Sequence, residues 1–196
     1  MKRIAVTRPT RFLPEAVDYL KVKGFAAVPV PMMEMRPRKD SEFEHFMARL
    51  DAGEVDVIVL TSQNGLGFIL ELVADRADFI GKMNGTKVLA IGPKTKKALD
   101  ECGINAVRMP SEYSSEGIVR EFSFPRQNVE VLRSGQGDPL LIDGLRKGGA
   151  HVTETIIYDV VPLSGEAQKW FVREAISGKI DAYTFTSTMT AKSLLM

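Results

Sequence analysis

The chain has 196 residues, 44% hydrophobic and 26% charged, the balance of a globular protein with room for one large domain or two small ones. Its 26 basic and 25 acidic residues leave a net charge of +1, which gives no support to a nucleic-acid or membrane-surface role. A single cysteine, Cys102, excludes an internal disulfide, no apolar run approaches the length of a membrane span, and the cytoplasm is the expected compartment.

The apolar run at 3–7 predicts a first strand. It stops at Thr7-Arg8-Pro9, too soon for the core of a signal peptide. Residues 12–23 read as a helix closed by Gly24, and 25–30 as a second strand. The Pro- and charge-rich segment 31–40 reads as a linker or an extended crossing between domains. Phe43, Phe46, Met47 and Leu50 then recur at helical spacing. Strands follow at 55–61, 87–91, 105–109, 129–133 and 151–158, with helices at 63–74, 93–102, 115–122 and 138–147 between them. Several strands are apolar on consecutive positions, as in a parallel sheet covered on both faces. The strand–helix alternation predicts a doubly wound α/β fold. Residues 159–163 read as a second linker, followed by a helix with Ala167, Trp170 and Phe171 on one face, strand 180–186 and the start of another helix.

Two phrases echo one another: Asp56-Val-Ile-Val-Leu-Thr-Ser62 and Asp181-Ala-Tyr-Thr-Phe-Thr-Ser187. Each is a β-rich run ending in Thr-Ser before a helix start. The echo predicts two similar modules, each with hydroxyls and free backbone N–H groups at the carboxyl end of a strand, where open parallel sheets bind ligands. Two such edges facing each other would make an interdomain cleft. The expected domains are 1–36 with 163–196, and 40–159. The first has only three strands. Two further βα units, about 60 residues at roughly 30 per unit, would complete it, so the expectation is a fragment or a shortened form with the terminal domain incomplete.

The most specific local signal is the turn Ala90-Ile-Gly-Pro-Lys-Thr-Lys-Lys97. Gly92 permits close backbone approach, Pro93 suits the first helical position, and Thr95 adds a hydroxyl to a first turn that favours an anion. The same residues also describe an ordinary Gly-Pro helix start. Ser62, beside Gln63, reads either as a helix cap or as a donor to a ligand carboxylate. Ser114 or Ser115 reads as a cap in Tyr113-Ser-Ser-Glu-Gly117. In Leu132-Arg-Ser-Gly-Gln-Gly137, Arg133 could clamp a carboxylate, and the glycines, Gly135 first, leave room for main-chain contact. Arg8 could act likewise from the other domain, or form a surface ion pair. Tyr158 ends a strand beside the second linker, with its hydroxyl either open to a cleft or satisfied in a half-buried setting. His45 and His151 lie far apart, and no Cys, His, Asp or Glu cluster has metal-ligand spacing. There is no GxGxxG, no phosphate loop and no GxSxG. Cys102 reads as a small core residue.

In this order, Val6-Thr-Arg-Pro9, Leu60-Thr-Ser62, Ile91-Gly-Pro-Lys-Thr95, Tyr113-Ser-Ser-Glu-Gly117, Leu132-Arg-Ser-Gly135, Tyr158 and Phe185-Thr-Ser187, the chain resembles uroporphyrinogen-III synthase. Each motif is short; their shared order spans the whole chain. The resemblance implies two doubly wound, flavodoxin-like parallel-sheet domains joined by a two-stranded connection. It implies a lyase of porphyrin and heme biosynthesis that dehydrates and closes hydroxymethylbilane, a linear tetrapyrrole with eight carboxylates, inverting ring D. It implies no cofactor and no metal, and the expected state is a monomer. It makes Tyr158 the candidate proton donor. It makes Arg8, Ser62, Gln63, Gly92, Thr95, Ser115, Arg133, Gly135, Thr186 and Ser187 candidate substrate contacts. A family member also carries a second Gly-Pro-x-Thr turn after the Thr-Ser strand of the terminal domain, and this chain ends before it. The competing readings are a non-catalytic α/β module that binds a small anion or tetrapyrrole, and a flavodoxin-like or receiver domain. The Thr-Ser and Gly-Pro strand ends, where a receiver needs acidic residues, count against the latter.

Overall fold

The computed structural model describes residues 1–105 and 107–192. The chain divides into two compact units, Met1–Arg36 with the chain from Val160 onward, and Pro37–Asp159.

The smaller unit is built on a three-stranded parallel sheet in the order β2 (Ala26–Pro29), β1 (Arg3–Val6), β8 (Ala182–Thr184). A short 3-10 turn at Thr10–Phe12 leads into α1 (Leu13–Val22), where Pro14 sits in the first turn, its missing N–H costing nothing. Gly24 adopts φ +78°, a left-handed conformation that ends the helix and that a side chain resists. The core gathers Ala5, Val28, Val30, Met32, Met33, Phe171 and Ile180. The helix α8 (Glu166–Ile176) differs from its sequence reading. It buries Phe171 and Gln168, while Trp170 stays 39% exposed and Ala167 lies on the surface. The reason is polar: the Gln168 amide donates to the Pro31 carbonyl (2.7 Å) and accepts from the Gly165 N–H (2.9 Å), tying the helix start to the end of the β2 segment.

The larger sheet has five strands in the order β3 (Met33–Pro37), β7 (His151–Pro162), β6 (Asn128–Ser134), β4 (Val57–Leu60), β5 (Lys87–Ala90); it belongs to the larger unit except for Met33–Arg36 of β3 and Val160–Pro162 of β7, which fall in the smaller one. The last four strands run parallel, with Val57 opposite both Lys87 and Val129. All four residues of β4 are buried, the pattern of a strand covered on both faces. On one face Val57, Val59, Leu89, Val129 and Val131 pack with Ile118 of α6 (Ser115–Glu121) and with Leu141, Ile142 and Leu145 of α7 (Leu140–Lys147). The helix α2 (Ser41–Asp51) buries Phe43, Phe46 and Leu50, and Asp40 caps it by accepting from the Phe43 N–H. After α3 (Gln63–Leu72), an element absent from the sequence reading appears: α4 (Arg76–Asn84), capped by Asp75 and buried through Phe79 and Met83. The helix α5 (Pro93–Glu101) follows β5.

One prediction changes form. The strand expected at 105–109 reduces to a single parallel bridge between Leu89 and Arg108, with residue 106 outside the described residues. The segments read as a linker or extended crossing and as a second linker are paired strands, in keeping with the two-stranded connection that the resemblance implies. The Arg38 N–H donates to the Ile157 carbonyl and the Leu163 N–H to the Met32 carbonyl, so the flanks of β3 and β7 run antiparallel. Pairing satisfies backbone groups that a free linker would leave to water. The helix expected after Ser187 is α9 (Thr188–Lys192); its expected continuation to Met196 lies outside the described residues.

Candidate functional site

Outward from β4, the larger sheet follows chain order to β5 and the Arg108 bridge on one side, then resumes with β6 and β7 on the other. In open parallel sheets such a reversal is where ligands bind, beyond the carboxyl ends of the strands on either side of it, here β4 and β6. Ser62 stands at this point. It caps α3 in an extended conformation, its Oγ accepting from the Asn64 N–H at 3.1 Å. The Tyr158 hydroxyl also donates to the Ser62 Oγ, at 3.2 Å. Both serine lone pairs are therefore engaged, and the serine's own proton has no acceptor among the described residues.

Tyr158 reaches this position through an irregularity. Arg133 pairs with Ile156 but Ser134 pairs with Tyr158, so Ile157 is an extra residue in β7. A bulge of this kind re-aims the side chain beside it. The Tyr158 ring is 5% exposed and rests on Phe68 of α3, centroids 5.1 Å apart. Gln63, the first residue of α3, is exposed beside this pair.

On the other side of Ser62, Gly92 caps α5 without a side chain. The Lys96 N–H is bonded to the Gly92 carbonyl, while the N–H groups of Lys94 and Thr95 have no partner within the helix. Thr95 is 4% exposed in that first turn. A Cβ at Gly92 would lie 3.1 Å from the Tyr113 Cβ, so the glycine lets the 113–117 loop close against the strand end. Ser114, rather than Ser115, is the cap of α6, accepting from the Gly117 N–H at 3.0 Å. Ser115 is the half-buried first helical residue.

The turn after β6 corrects two expectations. Arg133 is 6% exposed, and its guanidinium is spent on the Glu154 carboxylate and the Asp138 carbonyl. It holds the turn together and is not poised to clamp a ligand carboxylate. Gly137 is the space it needs, since a Cβ there would fall 2.5 Å from the guanidinium. The Gly135 N–H is likewise taken, by the Tyr158 carbonyl at 3.1 Å, and a Cβ at Gly135 would meet Asp159 at 2.8 Å. Gly135 therefore positions β7 and offers no main-chain donor.

In the smaller unit the ends of β1 and β8 carry Arg8, Thr186 and Ser187. Arg8 and Thr186 line a hollow of about 330 Å³ with Glu15, Tyr19 and Thr184. The Arg8 guanidinium lies over the Phe12 ring, 5.5 Å from its centroid. Ser187 caps α9, accepting from the Thr190 N–H at 3.1 Å, and its hydroxyl shares a second bond with the Thr190 hydroxyl at 2.8 Å. Thr7 and Thr184 spend their hydroxyls on the carbonyls of Thr184 and Ala5.

Sequence reasoning missed a polar cluster toward the amino ends of the larger sheet. Glu130, 2% exposed on β6, accepts from the Thr155 hydroxyl and from Arg49 at 2.8 Å. Burial raises its carboxyl above the ordinary value, against the opposing pull of Thr155 and Arg49. The signal was a lone acid between valines in Val129-Glu-Val131, which requires buried partners. Among the described residues, no three His, Cys, Asp or Glu side chains are grouped to hold a metal ion, and no helix is long and apolar enough to cross a membrane.

The architecture matches solved structures. A mutant uroporphyrinogen III synthase from the extremely thermophilic bacterium Thermus thermophilus superposes with a TM-score of 0.75 at 24% identity, over 100% of this chain and 76% of that one. The uroporphyrinogen-III synthetase of Helicobacter pylori gives 0.63 at 16% identity, over 100% and 78%. At such identities the likeness carries the fold. By sequence, a protein of Methanothermobacter thermautotrophicus, named provisionally as a uroporphyrinogen-III synthase, is 28% identical over 97% of this chain and 76% of its own length. The uroporphyrinogen-III synthase of Chlorobaculum parvum is 24% identical over 98% and 78%. The family model described as Uroporphyrinogen-III synthase HemD matches residues 14–196, and the chain belongs to that family.

Proposed function

We propose that the protein is a uroporphyrinogen-III synthase, a lyase that removes water from hydroxymethylbilane and closes the macrocycle with ring D inverted. The observation that carries this reading is the hydroxyl pair Tyr158–Ser62 at the strand-order reversal of the larger sheet, beside the start of α5, where the N–H groups of Lys94 and Thr95 have no partner within the helix. Hydroxide leaves poorly, so an acid near the departing oxygen lowers the barrier, and Tyr158 is the proton source. Loss of water gives an azafulvene; attack at the substituted carbon of ring D gives a spiro intermediate, which fragments and recloses as the inverted isomer.

The substrate also closes unaided to the uninverted isomer, so the protein's main task is to hold a flexible polyanion in one shape. Local dipoles suit that task in a chain of near-zero net charge. In this reading Gly92 and Thr95 receive one substrate carboxylate at the start of α5, with Ser115 and Gln63 lining the same edge. Arg8, Thr186 and Ser187 receive another at the edge of the smaller sheet. The two compact units serve as the family's two domains in this proposal.

The test is an isomer assay. Fresh hydroxymethylbilane is added to the purified chain, and the products are oxidised and separated. Isomer III in excess over isomer I is the expected result. Isomer I alone, with measurable tetrapyrrole binding, would replace the enzyme by a binding module.

A further inference from the structure

The geometry points to Ser62 as the group that hands the proton to the departing hydroxyl, with Tyr158 acting through it; this rests on the synthase reading above. Three observations converge. Tyr158 is almost wholly buried, and its hydroxyl already has an acceptor, the Ser62 Oγ. Ser62 is the more exposed of the two and stands at the sheet's switch point. Ser62 accepts twice, from Asn64 and Tyr158, which leaves its own proton as its remaining hydrogen-bonding function.

A serine alone is a poor acid, because its alkoxide concentrates charge on one oxygen. Coupled to tyrosine, the charge ends on the phenolate, where the ring spreads it. The Ser62 proton moves to the substrate hydroxyl oxygen as the carbon–oxygen bond breaks, and the bonding pair leaves with water. The Tyr158 proton moves to the Ser62 Oγ in the same step. The adjacent pyrrole nitrogen supplies the pair that stabilises the carbon left behind, giving a cationic azafulvene opposite a tyrosinate. The proton lost from carbon as the newly joined pyrrole regains aromaticity returns to Tyr158 through the same two oxygens. One water is lost and both side chains are restored.

The N-cap and the relay make different demands on position 62. Asparagine caps helices as well as serine does and still offers Tyr158 an acceptor, but its amide does not pass a proton on. The rate of isomer III formation is measured in single turnovers for the full chain and for Ser62→Asn, Tyr158→Phe, the double variant and Ser62→Thr. Each of the first two is expected to lose about 100-fold, a general acid's usual share, with the double variant no slower than either. Ser62→Thr, which restores a hydroxyl, should recover most of the rate. In mixed light and heavy water the unsubstituted chain should give a curved dependence of rate on deuterium content, from two protons in flight. A Ser62→Asn variant at full rate, losses that multiply in the double variant, or a linear isotope dependence would overturn the relay while leaving the synthase reading in place. Isomer I alone from the unsubstituted chain would remove both.

Discussion

The two Thr-Ser strand ends occupy equivalent places and do different work. Ser62 and Ser187 both follow a parallel strand and both cap the next helix. Ser187 also shares its hydroxyl with Thr190, one turn along its own helix. Ser62 instead meets Tyr158 from a strand 96 residues away and keeps a proton to give. The arginines reverse the pattern. Arg133, in the larger unit, is locked by Glu154 and the Asp138 carbonyl, whereas Arg8, in the smaller, lies over Phe12 at the rim of a hollow. A repeated sequence thus sets the backbone task, and the neighbours decide whether the side chain is left for chemistry.

The contrast between the arginines is the easiest to break. Arg133→Met should destabilise the larger unit by about 2 kcal/mol, below the usual cost of splitting a buried pair because Glu154 is partly exposed and can rehydrate. A denaturant melt reads this. Arg8→Gln should leave stability within about 0.5 kcal/mol but raise KM for hydroxymethylbilane roughly tenfold, the weight of one charge-assisted hydrogen bond. If the two variants exchanged these effects, the assignment of locked and available arginines would be reversed.

The serines sharpen it. Ser62→Ala and Ser187→Ala should each cost about 1 kcal/mol as lost caps, seen in the same melts. Ser62→Ala should also lower the saturated single-turnover rate of isomer III formation on the scale of Tyr158→Phe, whereas Ser187→Ala, which removes a proposed substrate contact, should raise KM and change the saturated rate far less. Equal losses in the saturated rate would show that capping, rather than the proton left on Ser62, is what the chemistry needs.

The smallest effect concerns Glu130. Its carboxyl is raised by burial, so the folded chain holds that proton more readily than the unfolded one does. Stability should therefore fall as pH rises from the ordinary value of 4.5 through the raised one, then level off. Glu130→Gln should flatten that part of the profile in melts taken across it. A profile unchanged by the substitution would assign the slope to other groups.

Local signals placed much of this in advance. Val57–Leu60 reads as a covered strand because all four residues are apolar, and Gly24 and Pro93 mark helix ends through backbone constraints that act wherever they occur. The helix at Arg76–Asn84 was harder to read. Its sequence is polar, and it stands on Phe79, Met83 and the Asp75 cap, which matter once a core lies beneath them.

The sequence by itself determined most of the alternation of strand and helix, the glycine turns and the order of motifs that marks the family, because each depends on residues close along the chain. Tertiary structure alone decided which of those polar groups remain available. The extra residue in β7 brings Tyr158 onto Ser62, and Glu154 takes Arg133 out of use. A hydroxyl or guanidinium is available only after every partner within reach has been counted, and those partners come from distant strands.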